Sequence, residues 1–203
     1  MRTEYFDKKS AGWDSNPIRA EMTRNIAAAI RQAVPLSETM SAIEFGCGTG
    51  LISRELLPHL KKIRAIDFSP GMIAKLQHRI EKSGLQNLTA CCLDIFTEPP
   101  DEQVDLIFSG MVLHHIRDTA ALLDALLLRL KPGGFIALAD LDTEDGTFHG
   151  DFDGFLHHGF DRERLIQELR SRKCGKTAAR TAHIVRKNDR EYPVFLITAQ
   201  KIA

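Results

Sequence analysis

The stretch Ile43-Glu44-Phe45-Gly46-Cys47-Gly48-Thr49-Gly50-Leu51 decides the reading of this chain. A short apolar run enters three alternating glycines and leaves into a helix-like segment. Glycine permits the sharp turn and lets a ligand approach the backbone with no Cβ in the way. The helix start beyond it presents N–H groups without intrahelical partners. A plain tight turn would use the same residues, so the surroundings matter. The spacing is GxGxG, not the GxGxxG of nicotinamide and flavin proteins. Glu44 precedes the loop, and Asp67 ends the next strand, where dinucleotide folds place a ribose-binding carboxylate about twenty residues on. An ionised carboxylate accepts from two adjacent hydroxyls. Asp94 ends the third strand. Three acids facing a glycine loop disfavour a pyrophosphate and suit a cationic or hydroxyl-rich ligand.

Outward from this loop the pattern alternates. Ile18 to Ala33 reads as a helix with Met22, Ile26, Ala29, Ile30 and Ala33 on one face, closed by Pro35. Ser41 to Phe45 reads as a strand, Leu51 to Leu60 as a helix and Ile63 to Asp67 as a second strand. Pro70 to Lys82 is a helix stopping at Gly84. Leu88 to Leu93 and Val104 to Phe108 are further strands. The helix Thr119 to Leu130 meets the turn Lys131-Pro132-Gly133-Gly134, and Phe135 to Leu141 is the fifth strand. After a polar, acidic stretch come a helix, Arg162 to Arg172, and two strand-like runs, Thr181 to Arg186 and Val194 to Gln200. Asn188, Asp189 and Arg190 make these a hairpin. Such alternation predicts βαβ units and a mostly parallel, doubly wound α/β sheet with an antiparallel edge.

The chain of 203 residues is expected to form a single domain: an N-terminal helical lid over 1–38, a ligand-binding core over 39–141 and an acceptor-side loop, helix and hairpin over 142–203. Lys+Arg and Asp+Glu each total 27, so bulk charge does not draw it to polyanions. There is no signal-type apolar run at the start, and Ala120 to Leu130 is too short and too charged to span a bilayer. Four cysteines without CxxC spacing suggest neither a disulfide framework nor a zinc site, which makes a reduced, cytoplasmic setting the expectation. Cys91 and Cys92 point to opposite faces of a strand and are read as small buried hydrophobes.

Together with Asp67, Asp94 and Leu130-Lys131-Pro132-Gly133-Gly134, the glycine motif resembles a class I S-adenosylmethionine-dependent methyltransferase of the small-molecule, type 11/12-like kind. The resemblance covers about Ala42 to Leu141. It implies a Rossmann-like, seven-stranded sheet with helices on both faces and the last strand antiparallel, and S-adenosylmethionine as cofactor. It also implies that Glu44 and the backbone of Gly46, Cys47 and Gly48, with Gly50 closing the motif, hold the methionine end. Asp67 would bind the ribose, and Phe68 and Met72 would pack on the adenine. Asp94 would accept from the adenine amino group, flanked by Leu93 and Ile95. The segment from Phe108 through Ser109 and Gly110 to His115 would floor the reactive methyl. Arg172 to Ala179 lacks the hydrophobic link found after this helix in many relatives of the class.

The acceptor is less legible. Methyl transfer is an in-line displacement that positioning and desolvation accelerate, and a base is needed only where the acceptor must lose a proton. His114 and His115 follow the fourth strand and read either as acceptor-positioning or basic groups or as space-filling residues at a helix start. His157 and His158 read either as closing over the acceptor or as exposed helix-start residues. Trp13 reads either as a cap on the cofactor or as a packed ring. Tyr5 and Phe6 fit a lid, and Arg19 fits an acidic acceptor. After the fourth strand stands Ser109-Gly110-Met111-Val112, with no Pro-Pro-Tyr motif, no Pro-Cys nucleophile and no metal-binding carboxylate. No metal is expected. The acidic run Asp140 to Gly146 fails the EF-hand register. It reads as a solvated loop, with an adventitious ion near His149, Asp151 and Asp153 as the alternative. The basic run Arg170, Arg172, Lys173, Lys176 and Arg180 reads as a solvated surface. The expected partner is a small-molecule acceptor, with no membrane and no nucleic acid. The rival readings are a nicotinamide oxidoreductase, a non-catalytic S-adenosylmethionine-binding scaffold subunit, and an RNA or protein methyltransferase.

Overall fold

A computed structural model describes residues 3–148 and 156–202. Seven strands form one sheet in the order β3-β2-β1-β4-β5-β7-β6. They are β1 Ser41–Phe45, β2 Lys62–Asp67, β3 Leu88–Cys92, β4 Val104–Gly110, β5 Leu130–Leu141, β6 Cys174–Lys187 and β7 Arg190–Lys201. β1 to β5 run parallel, and β7 lies antiparallel between β5 and β6. The helices are α1 Thr3–Lys9, α2 Pro17–Ala33, α3 Leu51–Leu56, α4 Pro70–Ser83, α5 Thr119–Leu128 and α6 Arg162–Ser171. The doubly wound architecture expected from the alternation is therefore the one adopted. Among the described residues no helix is long and apolar enough to cross a membrane.

The helices start where the sequence places side-chain caps. Asn16 accepts from the backbone N–H groups of Ile18 and Arg19 ahead of α2, with Pro17 in the first helical position. Ser69 caps α4 and Asp118 caps α5. The sheet is buried on both faces. Ile26, Ile30, Leu56, Leu76 and Phe108 lie in a core on the side of α2, α3 and α4. Ile43, Ile107, Leu122, Leu126, Leu169 and Phe195 lie in a second core on the side of α5 and α6. Both layers remove apolar area from water at about 25 cal/mol per Å².

Several boundaries differ from the sequence reading. The helix expected over Leu51 to Leu60 ends at Leu56 and continues as a 3-10 turn through His59, because Pro58 donates no backbone hydrogen bond. The turn at 131–134 is an irregularity inside β5, since register passes from Val104–Leu130 straight to Leu106–Phe135. β6 begins seven residues before the expected Thr181. Its first half, Cys174 to Arg180, is small, polar and mostly exposed at the sheet edge, so it carries no apolar alternation to read. Cys92 is exposed and Cys91 only half-buried, against the expectation that both are buried: β3 is the opposite edge strand.

Gly50 caps the start of α3; its φ of +74° is left-handed, and a Cβ added there would lie 2.5 Å from Leu76 Cδ1. The glycine lets α3 and α4 approach while the chain turns. Gly84 shares the backbone conformation, at φ +61°, yet an added Cβ there meets nothing within 4 Å. Gly50→Ala is therefore expected to cost about 2–4 kcal/mol of stability, summing backbone strain and overpacking, and Gly84→Ala about 1 kcal/mol. Urea unfolding of the two variants measures the difference, and equal losses would count against the packing role.

Candidate functional site

The carboxyl ends of β1, β2 and β4 open into a cleft of about 770 Å³. Its base is Glu44 and the loop Gly46 to Thr49. Its sides are Asp67, Phe68 and Met72 on one flank and Gly110, Met111, Val112 and His115 on the other. Phe6, Trp13 and Arg19 cover it.

Each wall is positioned by polar contacts. Asp67 Oδ2 accepts from the Gly48 N–H at 2.8 Å and Oδ1 from the Ser69 N–H at 2.9 Å, so one carboxylate joins the glycine loop to the start of α4. Its burial raises its pKa, and the two backbone hydrogen bonds oppose that rise. Glu44 is 2% exposed and accepts from both the N–H, at 3.1 Å, and the hydroxyl of Ser53 in α3. Burial pushes its carboxyl up to about 8, with nearby Asp67 adding repulsion. A Cβ on Gly48 would point into the cleft, 3.8 Å from Trp13 Nε1 and 4.0 Å from Met72 Sδ. The missing side chain leaves open a cradle between the loop and its cover.

The cover is latched from α1 and the 3-10 turn after it. Asp7 Oδ1 accepts from the Ser69 hydroxyl at 2.6 Å and the Gly71 N–H at 2.9 Å, at the α4 N-terminus. Asp14 accepts from Thr49 Oγ1 at 2.5 Å and pairs with Arg79, with Lys75 Nζ 3.5 Å away. Burial raises the Asp14 carboxyl, but these partners outweigh it and hold the pKa below the ordinary value. Phe6 places its ring 5.1 Å from His115 and 6.0 Å from both Phe68 and Trp13. The Arg19 guanidinium lies 3.7 Å from the Trp13 ring centroid and donates to the Trp13 carbonyl at 2.6 Å.

Among the sequence-derived cofactor residues, Trp13, Glu44, Gly46, Cys47, Gly48, Asp67, Phe68, Met72 and Gly110 line the cleft. Gly50, Leu93, Asp94, Ile95 and Ser109 do not. Asp94 is exposed and its Oδ1 accepts from the Phe96 N–H at 2.9 Å. Ile95 is in the α5-side core, and Ser109 donates to the Phe45 carbonyl at 2.8 Å. The histidines separate. His115 lines the cleft, whereas His114 is buried behind it against Asp140. His158 lies outside the lining, over Gly146, with Nδ1 3.5 Å from Glu144 Oε1.

The acidic run is not simply solvated. Asp142 takes a bidentate pair from Arg162, Asp145 pairs with Arg190, and Thr147 bonds the Tyr192 hydroxyl. His149, Asp151 and Asp153, and part of the acceptor-side loop expected after residue 142, lie outside the described residues. Among the described residues no group of three or more His, Cys, Asp or Glu side chains is arranged to hold a metal. Sequence reading assigned no role to Thr49, Arg79 or Asp7. Each acts across more than 25 residues of chain, a separation that leaves no local signal.

A model of the methyltransferase domain matches residues 43–136. An uncharacterized methyltransferase of Schizosaccharomyces pombe is 35% identical over 135 residues, 59% of this chain and 48% of that protein. A trans-aconitate 2-methyltransferase of Methylobacterium nodulans is 31% identical over 144 residues, 68% of this chain and 54% of that one. The chain thus spans about half the length of these curated relatives. The N-methyltransferase NodS of Bradyrhizobium japonicum, solved with S-adenosyl-L-homocysteine, superposes with a TM-score of 0.72 at 20% identity, covering 98% of this chain and 97% of that one. Residues 43–136 thus form a methyltransferase domain that resembles the class I S-adenosylmethionine-dependent enzymes.

Glu44 gives the fold a pH dependence. Between pH 4.5 and about 8 the native state keeps a proton that the unfolded chain releases, so this group's contribution to stability falls as pH rises. The slope is at most about 1.4 kcal/mol per pH unit. Glu44→Gln cannot ionise and still offers Ser53 an oxygen. Its urea stability, measured from pH 5 to 8, is expected to fall less steeply than the wild type's. Parallel curves would show that Glu44 is ionised throughout.

Proposed function

We propose that this chain transfers a methyl group from S-adenosylmethionine to a small-molecule acceptor. One observation carries the reading. The Gly48 cradle is open, and a buried carboxylate, Asp67, sits at its edge at the end of β2. The residues fit this cofactor. Asp67 offers two oxygens to vicinal hydroxyls while Phe68 and Met72 supply apolar surface for the base. Glu44 suits the ammonium of the methionine moiety, and a cation beside it would draw its carboxyl back toward ionisation. Arg19, stacked on Trp13 and lining the same cleft, suits the carboxylate of that moiety rather than an acidic acceptor. The bound cofactor would supply a methyl carbon activated by a positively charged sulfur.

The chain's own residues orient and dry the site. Phe6 and Trp13 cover the cleft, and exclusion of water strengthens the electrostatic contacts inside it. A covered cleft favours an acceptor that enters whole. The named trans-aconitate methyltransferase, with its small-molecule substrate, supports the same class.

Calorimetry with purified protein tests this. S-adenosylmethionine and S-adenosylhomocysteine are expected to bind and NADH is not. Asp67→Ala should weaken both ligands at least tenfold, about 1.4 kcal/mol. Arg19→Ala should weaken S-adenosylhomocysteine similarly yet leave 5′-methylthioadenosine, which lacks the amino-acid moiety, unchanged. No binding by folded wild-type protein would refute the cofactor assignment. Equal losses for both ligands would move Arg19 away from the carboxylate.

A further inference from the structure

Asp140 stands next to the last residue of β5 with no exposure to solvent, and the cofactor-holding set makes no use of it. Its Oδ1 lies 2.6 Å from His114 Nδ1 and accepts from the Leu141 N–H at 2.8 Å. Its Oδ2 lies 3.4 Å from the His114 N–H. Burial would raise its carboxyl, but the His114 imidazole and these hydrogen bonds outweigh that and hold its pKa below the ordinary value. An ionised carboxylate facing Nδ1 requires a hydrogen on that nitrogen, which fixes the tautomer of His114. His114 is 1% exposed, and its ring centroid lies 4.1 Å from that of His115. His115 is the ring that reaches the cleft, between Phe6 and the Met111–Val112 wall. A buried charge is costly to keep unless it is paired, and here the pair abuts the His115 imidazole, which lines the cleft.

We propose that Asp140 is a positioning residue that acts through His114 to raise the proton affinity of His115, and that the methyl acceptor is a hydroxyl or amine compound whose attacking atom carries a proton. The proposal rests on the methyltransferase reading above. A carboxylate acceptor is already ionised near neutral pH and needs no base. A hydroxyl must lose its proton as it attacks, and a protonated amine must lose one before it can attack. The acceptor's oxygen or nitrogen forms the new bond to the methyl carbon. The carbon–sulfur bond breaks, with its electron pair left on sulfur. The acceptor's proton passes to a ring nitrogen of His115 and later to water. Arg19 on α2, Glu44 on β1 and Asp67 on β2 are the charged groups that line the cleft with His115 among the described residues, and Arg117 follows two positions along the chain. None is altered in the test below.

The test is an NMR pH titration of ¹⁵N-labelled imidazoles, in the free protein and in its S-adenosylhomocysteine complex. Asp140→Asn removes the charge and keeps the shape, and His114→Gln removes the ring through which Asp140 acts. In each variant the His115 midpoint is expected to fall by at least half a pH unit, about threefold in proton affinity. A variant with wild-type methyl spectra and an unchanged His115 midpoint would overturn the proposal, and if Asp140→Asn does not fold, His114→Gln decides. Methyl-tritiated S-adenosylmethionine offered with phenols, primary amines and carboxylic acids reads the acceptor class. Label in the phenols or amines supports the proposal, and label in the carboxylic acids alone overturns it. Absence of S-adenosylhomocysteine binding would sink the cofactor reading instead, while the titration of the free protein still reports the coupling.

Discussion

The Asp67 carboxylate is the contact on which the cleft depends. It receives the Gly48 N–H on one oxygen and the Ser69 N–H on the other, so the turn after β1 and the start of α4 share one anchor. Carboxylates accepting backbone N–H groups form some of the stronger hydrogen bonds in proteins. The cost is desolvation, visible in the raised carboxyl. Glu44, one strand away, repeats the arrangement by holding the start of α3 through Ser53. Of two buried acids in neighbouring strands, the charge of Asp67 disfavours ionisation of Glu44. Such a pair is costly for an empty fold and useful to one that awaits a partially cationic, hydroxyl-bearing ligand.

The cover depends on the same neighbourhood. Asp7 accepts from the Gly71 N–H at the start of α4, and the Ser69 hydroxyl donates to Asp7 while the Ser69 N–H serves Asp67. Asp14 ties the 3-10 turn to Thr49 and Arg79, linking the cover to the glycine loop. Loop, helix and cover thus share one polar network, and movement of any part alters the hydrogen bonding of the others.

The sequence revealed what the backbone alone demands. Gly46, Gly48 and Gly50 all hold positive φ, and a glycine is a direct statement about conformation. The βαβ order followed from apolar periodicity, because strands buried on both faces are continuous in apolar residues. What it concealed was non-local. Arg19 was legible as a cation for the site, but its stacking on the Trp13 ring was not. Two adjacent histidines looked equivalent on the page, yet the 3-10 turn at Leu113–His115 sends one toward the cleft and the other into β5. Acidic residues after β5 read as solvated because their cationic partners, Arg162 and Arg190, lie 20 and 45 residues further on.

The fourteen-residue strand β6 is hydrogen-bonded within the sheet on one side only. An edge of that length is a template on which another chain can extend a sheet. Here two register shifts interrupt it, Lys176 sits at φ +46°, and Lys176, Arg180, Arg186 and Lys187 are exposed along it. Charge and irregularity on an outermost strand are how sheet proteins resist edge-to-edge aggregation. The same features that hid the first half of β6 from sequence reading therefore keep concentrated protein from assembling through this border.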